Sequence, residues 1–219
     1  MEFKLQGGSC RTPEAVVPTL DSLEKLFQTQ IQNLMCKGYP DAAGMSDAEF
    51  LSYVSPLKDK LPLSKQLSGP DLHFVIVVPE SFVSIPKQIS LLNSGSESFT
   101  KPFRYAYIAD VSGVKTPRRP YFAIDVRLES GTYASPRKSL QRLQRAGRSG
   151  LTIVEGIAVI LHFPNVLVRC CIDLLGSRHR ADFPYFCQGT NGQPELGFGD
   201  ADDADPQWAA ASCYARVAT

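Results

Sequence analysis

The chain has no long hydrophobic run and almost no net charge, and each of these absences excludes a class of protein. Its longest apolar runs, 72–78 and 153–163, are shorter than the roughly 20 residues needed to cross a bilayer. With 23 Lys and Arg against 22 Asp and Glu, the net charge is +1, so no global field attracts nucleic acid or an anionic membrane. Residues 1–8 do not resemble a secretory signal, because Glu2 and two glycines stand in place of a basic and then apolar stretch. We therefore expect a cytoplasmic protein without a membrane helix.

The sequence motifs of common enzymes are also missing. There is no Walker-type phosphate loop, no Gly-x-Ser-x-Gly elbow and no pair of histidines at metal-binding spacing. The six cysteines lack the two-residue spacing of a zinc or redox motif. Without an export signal, they are expected to be reduced thiols. We predict no metal and no cofactor, although catalytic groups can also be assembled from distant segments.

The composition and patterning that are present indicate a folded domain. Hydrophobic residues make up 43% and charged residues 21%, which is ordinary globular usage. Residues 1–18 lack hydrophobic periodicity and are predicted to be a loose leader, followed by a single domain over 19–219. Apolar residues at three- and four-residue spacing from Leu20 to Leu34, and a capping-box pattern at Ser46, predict two helices packed as a hairpin.

The remainder of the chain predicts strands and two more helices. The apolar run 72–78 is typical of a central strand buried on both faces, and 104–111 with 121–126 predict an antiparallel pair. Helices are expected from Ser135 over 136–148 and from the Thr152 capping box to Pro164. Shorter strands are expected at 166–175, 183–188, 195–198 and 209–214. This order favours an α+β fold, with the N-terminal helical hairpin and the two further helices packed on a mixed, largely antiparallel sheet.

A basic segment contains no acidic residue from 130 through 154. Its members are Arg137, Lys138, Arg142, Arg145 and Arg148. On a helix over 136–148 these side chains would occupy the face opposite Leu140 and Leu143, an arrangement that can meet phosphates. A solvated helix face is the alternative, as is pairing with the acidic loop at 200–205.

Unusual residues also concentrate near the C-terminus. As a ligand-binding site, they would be Ser177, Arg178, Trp208, Ser212 and Arg216. As a catalytic site, Cys171 or Cys213 would be the nucleophile, His179 the base and Arg178 the anchor of a small anionic substrate. A well-specified corner of the core is the third interpretation.

Several stretches together resemble a bacterial family catalogued only as a domain of unknown function. They are Cys36-Lys37-Gly38-Tyr39-Pro40 with Gly44 and 46–50, Ala146-Gly147-Arg148-Ser149 with 151–158, Leu175-Gly176-Ser177-Arg178, 194–197, Trp208, and Ala211-Ser212-Cys213. The resemblance spans most of the chain from about residue 24 and implies a small stand-alone bacterial protein without an established activity. The family is richer in Trp, Cys and His between positions 197 and 208, where this chain has Phe198, Gly199 and Gln207. The resemblance therefore implies no zinc or thiol site there.

We expect a non-catalytic domain that binds a small ligand or a protein partner. A thiol- or metal-dependent enzyme and a nucleic-acid-binding protein acting through the basic segment are the alternatives.

Overall fold

The structure is a computed structural model, and it describes residues 18–62, 72–93, 105–130, 134–205 and 207–219. The expected leader lies outside these residues except for Pro18. The helices are α1 (Leu20–Cys36), α2 (Tyr39–Ala43), α3 (Asp47–Val54), α4 (Ile85–Leu92), α5 (Pro136–Arg145) and α6 (Ile153–His162). Short 3₁₀ helices cover Ser55–Lys60, Tyr105–Tyr107 and Pro164–Val168. No helix in these ranges combines the length and apolar character that a membrane crossing requires.

The described residues include ten strands, which form two sheets. They are β1 (Leu72–Val77), β2 (Ile108–Asp110), β3 (Tyr121–Glu129), β4 (Ser149–Gly150), β5 (Cys171–Asp173), β6 (Ser177–His179), β7 (Phe183–Gln188), β8 (Pro194–Gly199), β9 (Trp208–Cys213) and β10 (Ala215–Ala218). The larger sheet has eight strands in the order β1-β3-β9-β5-β7-β8, with β10 also paired to β3 and β4 to β9. Among these described strands, only β5 and β9 pair in parallel in this sheet. The predicted α+β fold with a largely antiparallel sheet is confirmed.

Several local predictions hold because they depend on neighbouring residues. Thr19 caps α1, and both capping boxes are present, Ser46 with Glu49 and Thr152 with Glu155. The helical hairpin is not confirmed, since α2 lies between α1 and α3 and contacts both.

The predicted central position of β1 is wrong, because β1 lies at the end of the strand order. In the described part of the chain, side chains and no further strand contact the other edge of β1. Gln30 of α1 donates to the carbonyl of Phe74 at 3.0 Å and accepts from the amide of Ile76 at 2.7 Å. His162 Nε2 donates to the carbonyl of Ile76 at 3.0 Å. These contacts leave β1 buried although it is an edge strand.

The antiparallel pair predicted from 104–111 and 121–126 is also wrong. β3 pairs with β1 and β10 through its first half and with β9 through its second half. β2 pairs with β6 in the separate two-stranded sheet, with Asp110 opposite Ser177. β2 and β3, although close in sequence, therefore each pair with other strands and not with each other.

Helix α6 lies at the centre of the main core. All of its residues except Val154 are buried, and it contacts α1, α4 and β1. Gly156 permits close packing, because a Cβ there would lie 2.5 Å from a methyl group of Leu174. The aromatic contact between Phe74 and Phe122, with ring centroids 4.7 Å apart, continues this core beneath the sheet.

A disulfide corrects the expectation of reduced thiols for two cysteines. Cys171 on β5 and Cys187 on β7 are adjacent to the paired residues Ile172 and Phe186, and their Cα atoms are 4.4 Å apart in the bonded pair. Cross-strand register brings the two residues together, which their separation of 16 residues did not indicate. Cys171 therefore has no free thiol in this structure.

Candidate functional site

A surface cavity of about 160 Å³ opens at the first turn of α6. We refer to it as the α6 cavity. It is bounded by the segment after β1, by β2, by the start of β3, by α6 and by β6. Its lining residues are Pro79, Glu80, Ile85, Ile108, Ala109, Asp110, Thr116, Tyr121, Thr152, Ile153, Val154 and Ser177.

Two glycines place Ser177 at the floor of this cavity. Gly176 donates its amide to the carbonyl of Leu151 at 2.8 Å, and a Cβ on Gly176 would overlap the carbonyl oxygen of Gly150. A Cβ on Gly150 would in turn lie 2.7 Å from the amide nitrogen of Gly176. Only residues without a side chain allow this backbone approach. The close approach of these two backbone segments positions Ser177 next to the start of α6.

Ser177 joins α6 to β2 through its hydroxyl group. The hydroxyl accepts from the amide of Ile153 at 3.1 Å and donates to Asp110 Oδ1 at 3.1 Å. Thr116 donates to the other oxygen, Asp110 Oδ2, over a longer 3.4 Å. Ser177 is buried, whereas Asp110 keeps contact with solvent. The result is a carboxylate held at a defined position on the cavity wall.

The pKa of Asp110 is raised above its ordinary value. Desolvation of the carboxylate is the largest cause, and the negative charge of Glu155 contributes further. The hydrogen bonds from Ser177 and Thr116 and the charge of Arg216 act in the opposite direction but do not cancel the effect. Asp110 as a whole is exposed, so the desolvation concerns the part of its carboxyl group that faces the protein.

A buried ion pair supports the floor of the cavity from below. Arg216 on β10 donates from Nε and Nη2 to the two carboxylate oxygens of Glu155, at 2.6 and 2.8 Å. Tyr121, which lines the cavity, donates its hydroxyl to Glu155 Oε1 at 3.1 Å, and the amide of Thr152 donates to Oε2 at 2.8 Å. Burial raises the pKa of Tyr121, so its hydroxyl stays protonated as this donor. Both carboxylate oxygens of Glu155 thus accept hydrogen bonds from other groups of the protein.

A second buried network corrects the prediction for Arg148. Gly147 has a left-handed backbone with φ of +68°, so α5 ends at Arg145 and Arg148 turns into the core with 8% exposure. It donates to Asp125 Oδ2 at 2.8 Å, to the carbonyl of Asp125, and to Ser212 Oγ at 2.9 Å. Arg148 therefore does not belong to an exposed basic face.

The other residues of the basic segment lie on α5. Arg137 forms a bidentate pair with Asp202 at 2.7 and 2.9 Å, which is the pairing with the acidic loop that the sequence suggested as an alternative. Arg142 pairs with Glu129 at 3.1 Å. Lys138 and Arg145 are exposed. Internal pairing thus occupies two of the four cations on this helix.

Apart from Ser177, the other predicted site residues do not line the α6 cavity. The guanidinium of Arg178 lies 4.6 Å from the ring centre of Phe183. Trp208 packs on Tyr185 with ring centroids 4.5 Å apart. Of the residues expected to bind a ligand, Ser177 lines the cavity, Arg216 lies beneath it, and Ser212 belongs to the Arg148 network.

The proposed catalytic residues are held in structural environments. Cys171 is in the disulfide. Cys213 is buried, and desolvation followed by the charge of Glu155 raises the pKa of its thiol to about 12. His179 packs between the rings of Tyr107 and Phe198, with centroids 5.9 and 4.5 Å away. A thiol with such a pKa is a poor nucleophile near neutral pH.

Sequence reasoning missed Glu80, Asp110, Thr116 and Tyr121 as cavity residues. Asp110 lies 67 positions before Ser177, and no local pattern connects them. In the ranges that the structure describes, no group of three or more His, Cys, Asp or Glu residues is arranged to hold a metal ion.

Comparison with known protein families places these features in context. The family DUF5701, described as a family of unknown function, matches residues 33–185. The chain belongs to this family. The DUF5701 match includes β2, α6 and β6, so it covers Asp110, Glu155 and Ser177, and it ends before Ser212 and Arg216. No curated protein and no solved structure matches the chain.

Proposed function

We propose that this DUF5701 chain binds a small molecule in the α6 cavity without covalent chemistry. Binding sites for small molecules are typically concave and largely apolar, with a few polar groups that orient the ligand. The α6 cavity is concave and its lining combines both kinds of group, because Ile85, Ile108 and Ile153 are apolar and Ser177 and Asp110 supply polar groups at a defined position.

The Ser177–Asp110 hydrogen bond is the observation that carries the proposal. It connects two strands to the start of α6, and among the described residues Asp110 Oδ2 has only the long contact to Thr116. A carboxylate oxygen has room for more than one donor, so Oδ2 can accept a further hydrogen bond from a ligand. The buried pair of Glu155 and Arg216 joins the first turn of α6 to β10, and such fixed positions lower the entropy cost of binding.

The volume of the cavity limits the size of the ligand. Each water occupies about 30 Å³ in the liquid, so 160 Å³ corresponds to roughly five waters. We therefore expect ligands, or ligand groups, of about five to eight non-hydrogen atoms.

A fragment screen with a cavity-blocking variant tests this proposal. Ligand-observed NMR would detect fragments of this size that bind the wild-type chain. Ala109 is an exposed residue of β2 that lines the cavity, so Ala109→Trp should obstruct it and abolish the signals. Ala48 is exposed on α3, and Ala48→Trp is the matched control that should retain them. An empty screen, or fragments that bind Ala109→Trp as well as wild type, would refute the proposal.

A further inference from the structure

The charge of the α6 cavity has one sign. Glu80 and Asp110 are acidic, and no lysine, arginine or histidine of the described residues lines the cavity. Glu80 follows β1 and Asp110 ends β2, so the two carboxylates come from separate segments. A ligand in this space therefore meets negative charge and apolar walls together.

Neither carboxylate has a cationic partner within the part of the chain that the structure describes. Two buried acids of the fold differ, since Glu155 pairs with Arg216 and Asp125 pairs with Arg148. The charges of these two buried acids are thus matched by arginines, and the charges of the cavity are not.

Groups of the protein already occupy the positive end of α6. Two amides of its first turn already have partners, because Ile153 donates to Ser177 Oγ and Glu155 donates to Thr152 Oγ1. The carboxylate of Glu155 also lies at this helix end and is balanced by Arg216. Among the residues that the structure describes, Asp110 and Glu80 therefore remain the charged residues of the cavity lining.

We propose that the ligand of the α6 cavity is a small organic cation, a protonated amine with a short apolar chain. This inference rests on the proposed function and names the class of its ligand. An ammonium group has three donors and no acceptor, which suits carboxylate oxygens that accept only. Its carbon chain packs against Ile85, Ile108 and Ile153, and burial of that chain adds to the affinity.

The partial desolvation of Asp110 favours such a ligand. The carboxylate of Asp110 has lost part of its water, which raises its pKa, and no cation of the described residues lies within salt-bridge distance of it. A bound ammonium group replaces the missing solvation with a charge-assisted hydrogen bond. A ligand carboxylate in the same place would instead add a third negative charge.

Three probes of nearly equal size separate charge from shape. We would measure the dissociation constants of n-butylammonium, 1-butanol and butyrate by NMR titration at about pH 7.5 in low salt, where Asp and Glu side chains are ordinarily ionised. Because hydrogen bonds to charged groups are stronger than neutral ones, n-butylammonium should bind about tenfold more tightly than 1-butanol. Butyrate should bind least, and added salt should weaken the binding of the cation.

Matched variants test whether Asp110 and Glu80 cause the preference for the ammonium ion. Asp110→Asn should reduce the affinity for n-butylammonium about tenfold and should weaken the binding of 1-butanol less, because the alcohol loses only a hydrogen bond between neutral and charged groups. Glu80→Gln, on an exposed residue, should act in the same direction and does not disturb the Ser177 contact. Asp59→Asn removes an exposed carboxylate outside the cavity and should change neither affinity. Thermal unfolding of each variant would confirm that it is folded.

The outcomes distinguish this inference from the proposed function. If 1-butanol binds, Ala109→Trp blocks it, and the ammonium ion has no advantage, the cavity binds ligands but the cation inference is wrong. Binding of butyrate more tightly than n-butylammonium would likewise overturn the cation inference alone. If none of the three probes binds and the fragment screen is also empty, both proposals are wrong. Cation preference that survives the double variant Glu80→Gln, Asp110→Asn would overturn the assignment to these carboxylates.

Discussion

Replacing Arg216 with methionine should destabilise the fold strongly, because it would leave the Glu155 carboxylate buried without a cation. The side chain of Glu155 is 0% exposed and that of Arg216 is 9% exposed. Arg216 also donates to Ser149 Oγ at 2.8 Å and to the carbonyl of Gly150 at 3.0 Å. These two acceptors would lose their charged donor as well.

Removal of one partner from a buried ion pair typically costs about 3–5 kcal/mol. In a chain of this length, each kcal/mol lowers Tm by roughly 2–4 °C, so Arg216→Met should lower Tm by about 6–20 °C. The double variant Glu155→Gln, Arg216→Met should recover part of this loss, since it removes the uncompensated charge.

Thermal and urea unfolding, followed by circular dichroism, would measure these changes. Arg137→Met is the matched control, because Arg137 also forms a close bidentate pair with a carboxylate but is exposed. Exposed pairs contribute little to stability, so this variant should unfold almost as the wild type does. If Arg216→Met and Arg137→Met lose the same stability, or if the double variant is no better than Arg216→Met, the reasoning from burial is wrong.

Three further predictions concern other parts of the fold. Burial lowers the pKa of His162 to about 4, so its stabilising effect, present above about pH 6.5, is lost as the pH falls through 4. Desolvation followed by the charge of Asp205 raises the pKa of Asp173 to about 7, so its favourable effect is present at low pH and is lost as the pH rises through 7. The two groups therefore change the free energy of unfolding in opposite directions as the pH rises. Between about pH 4 and about 6.5, the urea midpoint should rise with pH in Asp173→Asn and fall with pH in His162→Gln. Parallel pH profiles of the two variants would contradict this. Reduction of the disulfide between Cys171 and Cys187 should cost about 3 kcal/mol for a loop of this length, which unfolding with and without dithiothreitol would measure, and an unchanged Tm would contradict it. Gly176→Ala should lower both Tm and fragment binding, because its methyl group would overlap a backbone carbonyl, and a variant with wild-type binding would show that this contact does not position Ser177.

The elements predicted correctly are those whose signals lie within a few residues of each other. The apolar spacing of α1 and the two capping boxes each depend on contacts three or four positions apart, and all are present. The strand at 183–188 was predicted with the bounds that the structure shows. Short elements without such a signal, including β4, β6 and β10, were not predicted.

Arg148 shows why one site prediction failed. A helix extended by three residues would have placed it beside Arg145 on an exposed face. Gly147 ends the helix, and the guanidinium turns inward to Asp125 and Ser212. The basic character of the segment was visible in the sequence, whereas the direction of one side chain was not.

Local spacing of apolar and capping residues by itself determined that this chain forms helices and strands of an α+β domain, since these interactions close over one or two turns. Tertiary structure alone decided that β2 pairs with β6 and that Asp110 therefore meets Ser177 at the start of α6. Such pairing depends on the register of strands whose facing residues are 67 positions apart and on the close approach of Gly150 and Gly176. No short-range pattern encodes either, because each is fixed only when the whole core packs.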